Sequence, residues 1–233
     1  MKPVCLVVGA GAGIGGTVGK RFAADGYHAV LCRRSDEEGL NALVADIEAS
    51  GGSASGRLLN AVQPDAIEDC VAWVEKDIGP IQVVVFNLGA QVGNRSLTNT
   101  TYKTFELGWR MATFALFRVA SSTFPLMAER GGGTLLVTSA TAAVRGNAGQ
   151  HSHAAAMGGR RMLCQSLNAE FSDQNIHVAH ILVDGAVDAP DTLGKMLGDE
   201  KFQALREKKG LEHDGLLLPK EMAETYFHLA HQH

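Results

Sequence analysis

The sequence has little of what marks a secreted, membrane-spanning or nucleic-acid-binding protein. It holds four cysteines in 233 residues and no C-x-x-C pair, so a disulfide scaffold is not expected. No apolar run approaches the roughly 18 to 20 residues that a membrane-spanning helix needs. The net charge is −4 without a basic stripe, which argues against nucleic acid as a partner. We therefore expect a cytoplasmic protein with reduced thiols and with no membrane or nucleic-acid partner.

The residues that are abundant suit a single domain over 1–233, since 45% are hydrophobic and 20% are charged. Apolar runs alternate with stretches of helical spacing. This alternation predicts an α/β Rossmann fold, with a doubly wound parallel sheet in the order 3-2-1-4-5-6. The predicted strands cover residues 4–8, 28–32, 56–60, 81–86, 134–138 and 177–183, and the predicted helices cover 13–25, 35–50, 64–78, 102–129, 149–172 and 219–231.

A glycine-rich turn, residues 9–15, stands between the first predicted strand and the first predicted helix. Such a turn lets backbone N–H groups approach a pyrophosphate, which the helix N-terminus also attracts. Gly11, Gly13 and Gly16 fit the pattern G-x-G-x-x-G. Gly9, Gly13 and Gly15 fit G-x-x-x-G-x-G, and we favour this register because the strand ends directly before Gly9. The predicted phosphate-binding residues are Gly9, Gly11, Gly13, Ile14 and Gly15.

Further motifs stand where three later strands are predicted to end. Asn87-Leu88-Gly89-Ala90 follows the fourth strand, Ser139 follows the fifth, and Asp184-Gly185-Ala186-Val187-Asp188 follows the sixth. With the glycine turn, this set resembles the short-chain dehydrogenase/reductase family over essentially the whole chain. The resemblance implies a nicotinamide cofactor and an alcohol or carbonyl substrate. It also implies cofactor contacts by Asn60, Asn87, Gly89, Gly185 and Val187.

The end of the second predicted strand indicates which nicotinamide cofactor is bound. An NAD site has an acidic residue there, which accepts a hydrogen bond from the ribose hydroxyl. This sequence has Arg33 and Arg34 instead, and a guanidinium pairs with a 2′-phosphate in bidentate fashion. We expect NADP(H) rather than NAD(H), with Asp36 forming part of a capping box, Ser35-Asp36-Glu37-Glu38, that starts the next helix. The alternative is that both arginines are solvated turn residues.

The catalytic positions of the family are mostly changed. The family uses serine, tyrosine and lysine, usually with asparagine, and Ser139 matches the serine. Alignment of the predicted helices places His153 at the tyrosine position, Met157 at the lysine position and Ala112 at the asparagine position. Met157 is expected beside the cofactor ribose, but it has no charge or donor to hold the hydroxyls. Histidine gives and takes protons near neutral pH, so Ser139 and His153 are the predicted catalytic pair.

Three functions fit these residues. The first is an NADP(H)-dependent oxidoreductase in which Ser139 orients the carbonyl and His153 relays the proton. The second is a binding protein that keeps the cofactor site without turnover, which Met157 and Ala112 favour. A third is a crevice used without a cofactor. No metal is expected, because His151 and His153 lie two residues apart and do not share a helical face.

The remaining segments lead to expectations about substrate access and assembly. Residues 184–214 are expected to form a lid over the substrate. Arg160 and Arg161 are expected to face solvent or a partner subunit. The sequence stops just past the last predicted helix, so either the family's seventh strand is absent or the sequence covers only part of the chain. A homodimer or homotetramer is expected through the two long helices, residues 102–129 and 149–172.

Overall fold

The computed structural model describes residues 1–89, 95–212 and 216–232. Within them, six parallel strands form one sheet in the order β3-β2-β1-β4-β5-β6, which confirms the predicted doubly wound α/β architecture. Ala90 of the fourth-strand motif and Asp214 of the predicted lid lie outside the described residues. The strands are β1 (Val4–Val8), β2 (His28–Arg33), β3 (Ser53–Leu58), β4 (Ile81–Phe86), β5 (Gly133–Ala140) and β6 (Ile176–Val183).

Helices cover both faces of the sheet. On one face pack α1 (Ile14–Ala24), α2 (Glu37–Ala49) and α9 (Pro219–Ala230); on the other pack α3 (Ala66–Trp73), α5 (Ala115–Glu129) and α6 (His151–Phe171). Three helices stand apart from these layers: α4 (Tyr102–Trp109) before α5, and α7 (Lys195–Leu197) and α8 (Asp199–Glu212) in the predicted lid segment.

The central strands are buried because helices cover them from both sides. Every residue of β1 is buried, and in β4 all residues except Gln82 are buried. Near-continuous apolar runs of this kind are typical of parallel strands between two helical layers. The carboxyl ends of parallel strands meet at one edge of the sheet, so the turns after β1, β2 and β4 come together there.

The third strand differs from the prediction. The sequence predicts it over residues 56–60, whereas it runs Ser53–Leu58. Ser53 lies opposite His28 of β2, and the ladder continues to Leu58 opposite Arg33. Small polar residues form this edge strand because pairing with β2 satisfies their backbone groups. Side-chain hydropathy does not report such pairing.

Both long helices also differ from the prediction in detail. The helix predicted over 102–129 consists of α4 and α5 joined by a π-helical turn, Arg110–Phe114. The helix predicted from residue 149 begins at His151. The π-helical turn carries Ala112, the position where the resemblance places an asparagine, so the helix geometry departs from a regular α-helix at this point.

Among the described residues, one helical stretch has the length and composition of a membrane span. Tyr102–Glu129 covers 28 residues of high mean hydropathy, but half of its apolar window is buried inside the protein. There Leu116, Val119 and Phe124 join the core between the sheet and α3. Packing in the core therefore accounts for its apolar character.

His180 on β6 gives the folded protein a pH dependence. Burial, with smaller contributions from the charges of Arg160 and Arg161, lowers the pKa of His180 from 6.5 to about 4. The unfolded chain therefore binds more protons than the folded one between pH 6.5 and pH 4, and the free energy of unfolding decreases as the pH falls through this window. Urea unfolding measured at several pH values should show a shallower decrease for His180→Gln. The same decrease in both proteins would contradict this.

Candidate functional site

The glycine turn is held in a conformation that its residue types require. Gly9 has a φ of +103°, a region that side chains rarely adopt. The N–H groups of Gly9 and Ala10 donate to the carbonyl of Cys32 at 2.9 and 2.8 Å, which ties the turn to the end of β2. The Asn87 side-chain amide donates to the carbonyl of Gly9 at 2.9 Å, which ties it to the end of β4. The turn is therefore fixed from both neighbouring strands.

A close approach of two backbone segments explains why position 15 is a glycine. A Cβ atom built on Gly15 would lie 2.2 Å from the carbonyl oxygen of Gly9, a distance that no side chain tolerates. Since β1 ends at Val8 and the turn begins at Gly9, this packing agrees with the register that starts at Gly9. Gly11 is different, because a Cβ there would meet no protein atom within 4 Å. The space beside Gly11 is open.

This open space belongs to a cavity of about 600 Å³ at the carboxyl edge of the sheet.

 The cavity sits over the N-terminus of α1, where Gly13 is the N-cap residue and no described side chain caps the helix. The N–H of Gly16 donates to the carbonyl of Gly11 at 2.8 Å, so the N–H groups that precede it in the first helical turn are the ones available to an anion, which the helix dipole also favours. These features fit the pyrophosphate of a dinucleotide. The cavity is lined by Gly9, Gly11, Gly13, Ile14, Gly15, Arg33, Arg34, Ser35, Asp36, Asn87, Leu88, Gly89, Met111, Val187 and Ala189.

Two arginines and one carboxylate lie at the β2 end of this cavity. Arg33 forms an ion pair with Asp36 at 2.9 Å, and Arg34 is exposed. The predicted capping box is wrong in its first residue, because Asp36 and not Ser35 is the N-cap of α2 and accepts a hydrogen bond from the N–H of Gly39 at 3.0 Å. Asp36 adopts a φ of 68°, which places its carboxylate between Gly39 and Arg33. Its charge is therefore partly neutralised.

A smaller cavity of about 170 Å³ adjoins the first and shares Asn87, Leu88 and Gly89 with it. Ser139 and His153 both line it, so the fold brings the predicted catalytic pair to one place. The Ser139 hydroxyl donates to the Met157 sulfur at 3.7 Å, and both side chains are buried. Thioether sulfur is a weak acceptor, so the hydroxyl is held only loosely.

Arg160 also lines this second cavity, and the expectation that it faces solvent or a partner is wrong. It is only 1% exposed. Its Nε, Nη1 and Nη2 groups donate to the carbonyls of Ala112, Thr138 and Leu88 at 3.2, 2.6 and 2.9 Å. Burial lowers the pKa of Arg160 to about 10, which leaves the guanidinium charged at neutral pH.

Comparison with known proteins identifies the family. The sequence pattern described as short chain dehydrogenase matches residues 3–194. The chain belongs to the short-chain dehydrogenase family. Among its relatives is the short-chain reductase protein NovJ of Streptomyces niveus, which is 30% identical over an alignment of 238 positions that covers 98% of this chain and 87% of that protein.

Solved short-chain dehydrogenase structures share the fold. L-sorbose reductase from Gluconobacter frateurii, complexed with NADPH and L-sorbose, gives a TM-score of 0.85 at 22% identity and covers 98% of this chain and 89% of that one. A 7α-hydroxysteroid dehydrogenase complexed with NADH gives 0.86 at 22% identity and covers 98% and 87%. At these identities the likeness establishes the fold alone.

Two of the positions that the sequence predicts to differ from the family's catalytic residues lie in an apolar cluster. Ala112 and Met157 pack with Ala142 and Ala156, and all four are buried. The family resemblance places an amide at Ala112 and an ammonium at Met157. In this short-chain dehydrogenase neither position provides a polar group to the cavity.

Two predicted cofactor residues lie away from both cavities. Asn60 accepts a hydrogen bond from the N–H of Val62 at 3.4 Å, in the turn after β3. Gly185 is exposed, and a Cβ there would lie 3.0 Å from the Leu217 side chain. Val187 does line the first cavity and forms a bridge with Leu217. The cofactor roles of Asn60 and Gly185 stay predictions.

Sequence reasoning missed Arg160, although the spacing of residues on α6 held a signal. His153, Met157 and Arg160 are separated by four and three residues, so they share one face of the helix. Once His153 and Met157 are assigned to the cavity, Arg160 follows on the same face. The preference of arginine for solvent obscured this.

Proposed function

We propose that this protein is an NADP(H)-dependent oxidoreductase that acts on an alcohol or carbonyl compound. The observation that carries the proposal is the junction of the two cavities at Asn87, Leu88 and Gly89. A dinucleotide with its pyrophosphate on the N-terminus of α1 would extend through this junction toward Ser139 and His153. Family membership supports the same reaction class.

The chain's own residues would orient the substrate and move the proton. When bound, the nicotinamide supplies or accepts the hydride. Ser139 would turn its hydroxyl from the Met157 sulfur to the substrate oxygen, which is a stronger acceptor. His153 would donate a proton to that oxygen during reduction and accept it during oxidation. Met157 is buried beside Ser139. This packing limits the access of water to the part of the cavity that contains the Ser139 hydroxyl.

The preference for NADP(H) rests on Arg33 and Arg34. Both line the first cavity, and Arg33 is held by its ion pair with Asp36. A 2′-phosphate would meet two guanidinium groups, while the Asp36 carboxylate is already engaged by Arg33 and the Gly39 N–H. Solved relatives of the fold have been complexed with NADPH or with NADH, so the arginines and not the fold support this choice.

Titration of NADPH against NADH, followed by thermal shift, tests the proposal. The wild-type protein should be stabilised more by NADPH. Arg33→Ala should weaken NADPH binding by about 10- to 100-fold, the value of one charge-assisted interaction, with little change for NADH. Arg57→Ala is the matched control, because Arg57 lies on β3 over the ring of Trp73 and outside the cavity. Equal shifts with both cofactors would overturn the NADP(H) preference.

A cofactor-binding protein without turnover is the second candidate. The apolar packing of Ala112 and Met157 favours it, because no group at these positions holds ribose or conducts a proton. This candidate predicts stabilisation by NADPH without oxidation of the cofactor by any of a panel of aldehydes and ketones. Specific turnover of an ordinary ketone would overturn it.

Assembly and location belong to the same proposal. Large apolar side chains are partly exposed along α4, the π-helical turn and α5, which supports a homodimer or homotetramer through residues 102–129 and 149–172. The four cysteines are free and buried. Free thiols are the state expected in a reducing cytoplasm, which supports a cytoplasmic location. Residues 184–214 would close over a small-molecule substrate. The exposed apolar residues are Tyr102, Phe105, Leu107, Trp109, Phe114 and Phe117.

A further inference from the structure

Arg160 is a charged side chain at the inner end of the proposed active site. It is among the largest fully buried side chains of the described protein. Burying a charge is costly unless other groups compensate it. No carboxylate among the described residues pairs with Arg160. Three backbone carbonyls and the face of Phe86, whose ring centre lies 5.0 Å from the guanidinium carbon, provide the compensation.

The three carbonyls come from three different parts of the site. Leu88 belongs to the segment that both cavities share. Thr138 directly precedes Ser139 and also lines the second cavity. Ala112 lies in the π-helical turn between α4 and α5. One planar guanidinium thus fixes the relative positions of the elements around Ser139.

We propose that Arg160 is the positioning residue of this site and supplies the positive charge that Met157 does not. Its hydrogen bonds hold Leu88 and Thr138, and thereby the wall that would face a bound nicotinamide and the backbone that carries Ser139. Its charge lies on the wall of the same cavity, where it favours negative charge that develops on a substrate oxygen. This inference rests on the proposed function, because it assumes a nicotinamide in the junction of the cavities.

Two ligands, NADPH and its adenosine half alone, distinguish this role of Arg160 from a general effect on folding. NADPH would contact both the glycine turn and the Arg160 region, whereas adenosine 2′,5′-bisphosphate lacks the nicotinamide half and would contact only the former. We expect Arg160→Met to bind adenosine 2′,5′-bisphosphate like the wild type. The affinity of Arg160→Met for NADPH should fall by about 10-fold or more, because the hydrogen bonds that Arg160 donates to two cavity-lining carbonyls are lost. Arg160→Lys keeps the charge and should recover part of the loss.

Arg161→Met is the matched control, because it removes the neighbouring charge of α6, while the described hydrogen bonds to the cavity carbonyls of Thr138 and Leu88 come from Arg160. It should leave both affinities unchanged. Equal losses for both ligands in Arg160→Met, or an unchanged NADPH affinity, would overturn the inference. If Arg160→Met does not fold, Arg160→Lys decides, and a wild-type ratio of the two affinities in that variant would overturn it. Failure of both ligands to bind the wild type would overturn the proposed function itself.

Discussion

Replacement of His153 by alanine is expected to reduce NADPH-dependent carbonyl reduction by about 10²- to 10⁴-fold, the usual contribution of one proton donor. In the second cavity His153 lies with Ser139, and neither Met157 nor Arg160 there gives up a proton at neutral pH. The measurement is NADPH oxidation with a panel of aldehydes and ketones. The thermal shift with NADPH should stay as in the wild type, because the proposed role of His153 is toward the substrate oxygen and it does not line the larger cavity, whereas Arg160 holds Leu88, which does.

His151→Ala provides the control for this prediction. His151 lies on the same helix two residues earlier, but it lines a separate groove with Tyr102 and Phe105. Its removal should leave the rate unchanged. Full activity of His153→Ala would remove His153 from the mechanism, and equal losses in both variants would indicate a general effect on α6.

Replacement of Gly15 by alanine is expected to abolish the stabilisation by NADPH and to lower the free energy of unfolding by about 1–3 kcal/mol, the cost of overpacking. The added Cβ would lie 2.2 Å from the carbonyl oxygen of Gly9 and 2.9 Å from the Asn87 amide nitrogen. The glycine turn must therefore move, and the Asn87 hydrogen bond that fixes it is disturbed. Chemical denaturation and NADPH titration measure the two effects.

Gly11→Ala separates the effect on binding from the effect on folding. A Cβ there meets no protein atom within 4 Å, so the free energy of unfolding should change by less than about 0.5 kcal/mol. The methyl group would still project into the space assigned to the pyrophosphate and weaken NADPH binding. Wild-type affinity in Gly11→Ala would show that the anion does not lie against this residue.

The fold could be predicted because its signals are local and periodic. The apolar run of β4 predicted a strand covered on both faces, and the structure has it at the same residues, Ile81–Phe86. The edge strand β3 was placed wrongly, because Ser53 and Ser55 are ordered by pairing with His28 and Val30 and not by their own hydropathy. Asp36, similarly, caps α2 in a conformation that the S-x-x-E pattern does not reveal.

The sequence alone determined the order of strands and helices and the glycine turn, and it predicts that the family's tyrosine, lysine and asparagine are replaced. Each of these depends on residues close together in the chain. Only the tertiary structure decided that Arg160 is buried and that the two cavities meet, because these depend on distant residues. Arg160 contacts Ala112 across 48 positions and Leu88 across 72. The spacing on α6 indicates only the helical face that Arg160 shares with Met157; the convergence of three distant carbonyls that compensates the buried charge is not encoded by any local pattern.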